Sequence, residues 1–205
     1  MCFTPIVSVT TAILEFLVAT IIIVFFKKYS FNKYMAIFIY FLGLYQFTEF
    51  MACVSDNALL WAKTGFVIYT FLPALGLLFV AKYLQLKINQ LLLLTIPSLF
   101  SVYVLVTNKI TYALCEKYTL VAHNLFFYFK DPVTIIYLVY YFGFIPLILL
   151  LIYNHYKKIK SKMKKQLDID FSIAIFVSLF PALLLLIIFP SLYLQFPSIY
   201  CHFAF

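Results

Sequence analysis

Residues 6–26 read IVSVTTAILEFLVATIIIVFF, an apolar stretch with a single charge, Glu15, and neither Gly nor Pro. About 20 such residues cross the hydrocarbon of a bilayer as a helix, and a helix satisfies its own backbone hydrogen bonds where no water is available. Stretches of the same kind recur at 34–54, 60–81, 91–107, 132–153 and 171–192, separated by short segments that hold most of the charge. The pattern predicts an all-α fold: one membrane domain over 1–205, a polytopic transmembrane helical bundle of six spans. Residues 193–205 are apolar but too short to cross as a helix. They are expected to form a re-entrant or interfacial tail, or the opening of a truncated seventh span. The apolar segment 118–129 is expected to lie on the bilayer or to cap the bundle.

Composition agrees with that reading. Hydrophobic residues make up 66% of the chain and charged residues 11%, against about 25% charged in soluble domains. A soluble catalytic domain is not expected within these 205 residues. There is no Arg, and the net charge of +8 comes from 15 Lys spread over the segments between spans. In a soluble protein such a charge would point to nucleic acid; here the Lys fall at headgroup level, so the lipid bilayer is the expected partner and nucleic acid is not. The first five residues carry no basic region, and no small-residue cleavage site closes the first span, so that helix is expected to remain as an anchor.

Short cytoplasmic loops are enriched in positive charge. Eleven Lys fall after spans one, three and five, and four (Lys63, Lys109, Lys117 and Lys130) after spans two and four. This places the N-terminus outside and the Lys-rich loops in the cytoplasm. Lys63 and Lys82, at the ends of the third span, can run their stems along the helix to reach the interface. The run Lys157, Lys158, Lys160, Lys162, Lys164 and Lys165 can also attract anionic lipid headgroups, and a homo-oligomer is compatible with the sequence. His155, beside this run, is expected to be a headgroup contact.

The residues most able to carry chemistry are the two acids inside spans, Glu15 and Glu49, because a carboxyl at bilayer depth is costly and needs a partner or a wet path. Counted from the external ends they lie about 13 and 8 Å deep at a rise of 1.5 Å per residue, shallow enough to meet on adjacent helices. Gln46 lies one turn from Glu49, and Tyr45 and Thr48 extend the polar stripe. The stripe reads either as a functional site or as a structural interhelical hydrogen-bond network. Pro73, Pro97, Pro146 and Pro181 fall inside spans, where they tend to kink helices and open cavities.

The predicted topology puts Cys2, Cys53, Cys115 and Cys201 at or beyond the external face. An oxidising compartment would permit up to two disulfides among them, with three pairings open. His123 and His202 fall on the same side, so Cys2, Cys201, His202 and His123 could furnish a zinc site, although their spacing matches no recognised zinc motif. Serine-hydrolase, HExxH and phosphate-loop motifs are absent. Spans five and six lack the mid-span Lys that retinal attachment needs, and no span is basic enough for a voltage sensor.

Three patches carry a resemblance: Met1-Cys2-Phe3-Thr4-Pro5-Ile6-Val7-Ser8, Gly43-Leu44-Tyr45-Gln46-Phe47-Thr48-Glu49, and Tyr200-Cys201-His202-Phe203-Ala204. Together they resemble an uncharacterised, mainly bacterial family of small multi-pass membrane proteins. Its chains begin Met-Cys-Phe/Trp-Ser-x-x-Ala-Ser, carry Gly-Leu-x-Gln-x-x-Glu in the second span, and have a late aromatic-Cys pair followed by Phe-Ala. Thr4 and Val7 depart from the first pattern. The resemblance implies the architecture and draws attention to Cys2, Gln46, Glu49 and Cys201; it implies no mechanism.

Three functions are compatible with these observations. The first is a non-enzymatic transporter, channel or sensor with an acidic polar cluster of Glu15, Tyr45, Gln46 and Glu49. The second is an intramembrane, metal-dependent enzyme acting on lipid through the external Cys and His with Glu49, and the third is a membrane scaffold.

Overall fold

A computed structural model describes residues 5–26, 29–116, 119–124 and 132–188. Six helices follow in chain order, α1 (Pro5–Phe25), α2 (Ser30–Val54), α3 (Ala58–Tyr83), α4 (Gln90–Val106), α5 (Pro132–Lys158) and α6 (Lys162–Ile188), with a hairpin of β1 (Ile110–Glu116) and β2 (Thr119–Asn124) between α4 and α5. Each stretch expected to be a span is helical over its described part, save the last residue of the first and of the fourth, Phe26 and Thr107. Among the described residues four helices, α1, α2, α3 and α5, are long and apolar enough to cross a membrane, and α4 is a shorter apolar helix of 17 residues. Many large apolar side chains point away from the protein: Leu91 is 76% exposed and Leu99 71%. Such a surface suits hydrocarbon and not water.

Side chains punctuate the helices. Asn57 Oδ1 accepts from Leu60 N at 3.2 Å to cap α3, and Asn89 Oδ1 accepts from Leu91 N and Leu92 N to cap α4. Both helices end in the same way. Gln85 and Asn108 adopt left-handed φ values of 58° and 48°, and the next amides reach back to Ala81 O and Val104 O. These are Schellman closures built without glycine. Asn108 also accepts from Lys63 Nζ at 2.9 Å, tying the start of α3 to the end of α4.

The core is organised around α3, which packs against α2, α4, α5 and β1. Near the hairpin end, Tyr45, Phe66, Tyr69, Val104, Ile110 and Tyr137 belong to one buried cluster. A second cluster toward the other end draws Leu77, Leu78 and Val80 from α3, Leu93 from α4, and Ile148 and Ile152 from α5. Between them Tyr140 donates its hydroxyl to Thr70 O at 2.7 Å, and Tyr137 lies 3.1 Å from Thr70 Oγ1. Pro73 gives no N–H to Tyr69 O, and the Tyr140 bond falls on the next carbonyl along α3.

The hairpin departs from expectation. The apolar patch at 118–129 was expected to lie on the bilayer or to cap the bundle, with no strand foreseen; in the described part, β1 and β2 pair antiparallel, with Ala113 opposite Ala122 and Cys115 opposite Leu120. Ile110 and Ala113 are buried in the aromatic cluster. Docking on α3 gives the two strands an apolar support that an isolated hairpin lacks. The expected tail at 193–205, and with it a seventh span, lies outside the described residues.

Candidate functional site

α1 and α2 run antiparallel, and two contacts set their register. Thr20 Oγ1 is 2.7 Å from the Tyr40 hydroxyl, and a Cβ placed on Gly43 would stand 3.3 Å from Glu15 Cβ and 2.8 Å from Phe16 Cε1. Glu15 therefore lies opposite Gly43. Ser8, Thr11 and Glu15 are buried at helical spacing along one stripe of α1. Thr11 donates to Val7 O at 2.9 Å. On α2, Gln46 is 0% exposed and Glu49 6%, while Glu15 on α1 is 3% exposed. Oε2 of Glu15 and both polar atoms of Gln46 have no hydrogen-bond partner.

Tyr45 and Thr48 belong to the other side of α2. Tyr45 packs edge-on against Tyr69 of α3, with ring centroids 5.7 Å apart. Thr48 donates to Tyr45 O at 2.7 Å, and its Oγ1 would lie 2.8 Å from a Cβ placed on Gly65 of α3. Glu49 falls between these two faces on the helical wheel. The polar stripe expected along α2 is therefore divided: Tyr45 and Thr48 face α3, whereas Gln46 lies one turn from Gly43, the residue that meets Glu15.

A second polar site, at the other end of the bundle, had not been foreseen. Asp168 of α6 is fully buried and accepts the Tyr83 hydroxyl at 2.8 Å on one oxygen. Its other oxygen is 2.9 Å from His155 Nδ1, and its carbonyl accepts from Ser172 Oγ. The Tyr83 ring is packed among Phe31, His155 and Phe171 at centroid distances of 5.7, 5.8 and 5.1 Å. His155, expected to touch only headgroups, is instead bonded to a buried carboxyl. The available signal was spacing, since Asp168 shares a helix face with Phe171 and Ser172, where the apolar part of α6 begins. Lysines surround this end: Lys157 lies over the Tyr153 ring at 4.4 Å and Lys165 over Tyr156 at 5.0 Å.

Cys53, at the end of α2, is disulfide-bonded. Cys2, Cys201 and His202 lie outside the described residues, as do the side chains of Cys115 and His123, whose backbones belong to β1 and β2. The side chains that could furnish a zinc site, those of Cys2, Cys201, His202 and His123, thus fall outside what the structure describes. Among the described residues no three His, Cys, Asp or Glu converge as a metal site would require. No protein-family model, curated protein or solved structure matches the chain.

Proposed function

We propose that the chain is a small multi-pass membrane protein acting in transport, conduction or sensing, and that its functional centre is the acidic seam between α1 and α2. The observation that carries this reading is the burial of Glu15, Gln46 and Glu49 in two helices that have no Lys within 5–26 or 34–54. Intramembrane acids of this kind mark ion and proton paths. The resemblance to a family with Gln-x-x-Glu in its second span draws attention to the same residues.

In this reading α4 and α6 complete six spans, since even 17 residues reach about 26 Å at a rise of 1.5 Å each, near the thickness of the hydrocarbon core. Contacts of Tyr83 with Phe31, His155 and Asp168 gather the Lys-rich ends of the helices at one pole. Positive charge assigns that pole to the cytoplasm and the hairpin to the exterior. Lys157 to Lys165 then face anionic headgroups.

The test is flux in reconstituted vesicles. Glu49→Gln is expected to change proton- or cation-linked transport and its pH dependence. Unchanged flux with unchanged pH dependence would remove Glu49 from the mechanism.

A further inference from the structure

The three unpartnered atoms of the seam are Oε2 of Glu15 and Oε1 and Nε2 of Gln46. Hydrocarbon supplies no water to satisfy them. The helix register sets them at adjacent levels. Glu15 opposes Gly43, and Gln46 is one turn farther along the same side of α2. Helical side chains lean toward the N-terminus of their own helix. Because α1 and α2 are antiparallel, Glu15 leans toward the level of Gln46 and Gln46 leans back toward the level of Glu15. Small residues stand at both levels: Gly43 opposite Glu15, and the buried Ala12, which the same antiparallel register, counted one turn on, sets at the level of Gln46.

A neutral carboxyl and a primary amide are complementary. The acid O–H donates to the amide oxygen while an amide N–H donates to the acid carbonyl. An ionised carboxylate has no hydrogen to give, and Gln46 Oε1 would then face a negative oxygen. A sodium or potassium ion would draw in the oxygens and turn the amide N–H₂ away from the ion, leaving that donor without an acceptor. The proton is the ligand that satisfies all three atoms.

We propose that Glu15 and Gln46 form a proton-binding pair, in which the carboxyl takes up a proton from water and closes a ring of two hydrogen bonds with the amide. One O–H bond forms on uptake and breaks on release, with no change of oxidation state. The inference rests on the acidic seam being the functional centre and names its ligand as a proton, not an alkali cation. Among the titratable groups on α2, Tyr40 is bonded to Thr20, Tyr45 is turned to Tyr69, and Glu49 lies one turn beyond Gln46 with an interaction of its own. Lys63 of α3 is bonded to Asn108.

Infrared spectroscopy of the full chain in lipid, with carboxyl-labelled Glu, tests the pair. At neutral pH a protonated-carboxyl carbonyl band is expected. It should disappear in Glu15→Gln, shift to higher frequency in Gln46→Leu as that carbonyl loses a hydrogen bond, and stay unchanged when sodium replaces potassium. The pair is overturned if Glu15→Gln removes no band, if Gln46→Leu leaves the frequency where it was, or if sodium abolishes the band. Should Glu15→Gln fail to fold, the Gln46→Leu shift and the sodium exchange still decide. A band that behaves as expected, with flux indifferent to Glu15→Gln and Glu49→Gln, keeps the pair and sinks the transport reading. Proton-linked flux without the band does the reverse.

Discussion

Asp168 Oδ2 stands 2.9 Å from His155 Nδ1 while Asp168 Oδ1 accepts the Tyr83 hydroxyl, so one buried carboxyl ties α6 to both α5 and α3. Farther along α6, Ile173, Phe176, Val177 and Phe180 are exposed. The tie and the neighbouring Phe171, packed on Phe79 and Tyr83, are what fix the Lys-rich end of this helix.

Asp168→Ala leaves the Tyr83 hydroxyl and the imidazole without their acceptor and is expected to cost about 2–3 kcal/mol. Asp168→Asn keeps an acceptor for one of them and should cost less. Unfolding of the purified variants in mixed micelles checks the order; equal losses would show that hydrogen bonding to the carboxyl is not what holds α6.

Gly43 sets the approach of α1 to α2. An Ala there meets the outer edge of the Phe16 ring, which can turn aside, so Gly43→Ala is expected to lose less than about 1 kcal/mol. Gly43→Ile would push against Glu15 Cβ as well, with a loss of about 1–3 kcal/mol. The infrared band assigned to Glu15 should then move with the lost stability. A stable Gly43→Ile variant would mean that the helices do not meet at this level.

At Gly65 the obstacle is a hydroxyl held in place. Thr48 Oγ1 is fixed by its bond to Tyr45 O and lies 2.8 Å from where a Cβ would be. Gly65→Ala should destabilise by about 1–3 kcal/mol, and Thr48→Ala in the same chain should recover part of that loss. A double-mutant cycle measures the coupling; strictly additive effects would place the two residues apart.

Tyr140→Phe removes the donor to Thr70 O, within one turn of Pro73. The expected loss is about 0.5–1.5 kcal/mol, in keeping with side-chain hydrogen bonds between membrane helices. Tyr137→Ala, which empties a fully buried aromatic site, should cost about 3–5 kcal/mol. Thermal unfolding of both variants gives the comparison.

Orientation has its own assay. An impermeant thiol reagent on intact cells is expected to label Asp56→Cys, an exposed position between α2 and α3, and to spare Ser161→Cys between α5 and α6. The opposite pattern inverts the bundle and puts the acidic seam nearer the other face.

The helices were legible because apolar length alone decides them: the stretch 6–26 reappears as Pro5–Phe25 and 34–54 within Ser30–Val54. The hairpin was not, since short apolar runs read equally as strand or helix and the burial of Ile110 and Ala113 beside α3 is a tertiary fact. Glu15 and Glu49 stood out by the cost of their charge. That Glu15 would oppose Gly43, and that Tyr45 would turn toward α3, depended on a register the chain does not spell out. Asp168 was hidden for a different reason. In the stretch Gln166-Leu167-Asp168-Ile169-Asp170 it reads as interfacial charge, and its partners lie 13 and 85 positions away.

Thr70 and Tyr83 are thirteen residues apart on α3, about 20 Å at 1.5 Å per residue, and the buried side chains between them are Leu72, Ala74, Leu75, Leu77, Leu78, Phe79, Val80 and Ala81. A bare ion traversing that zone would lose its hydration shell and find no dipole in exchange. Along this stretch α3 thus offers an ion only apolar side chains among its buried residues, and a charge passing between the tyrosine-rich and the lysine-rich halves would need polar groups from other helices.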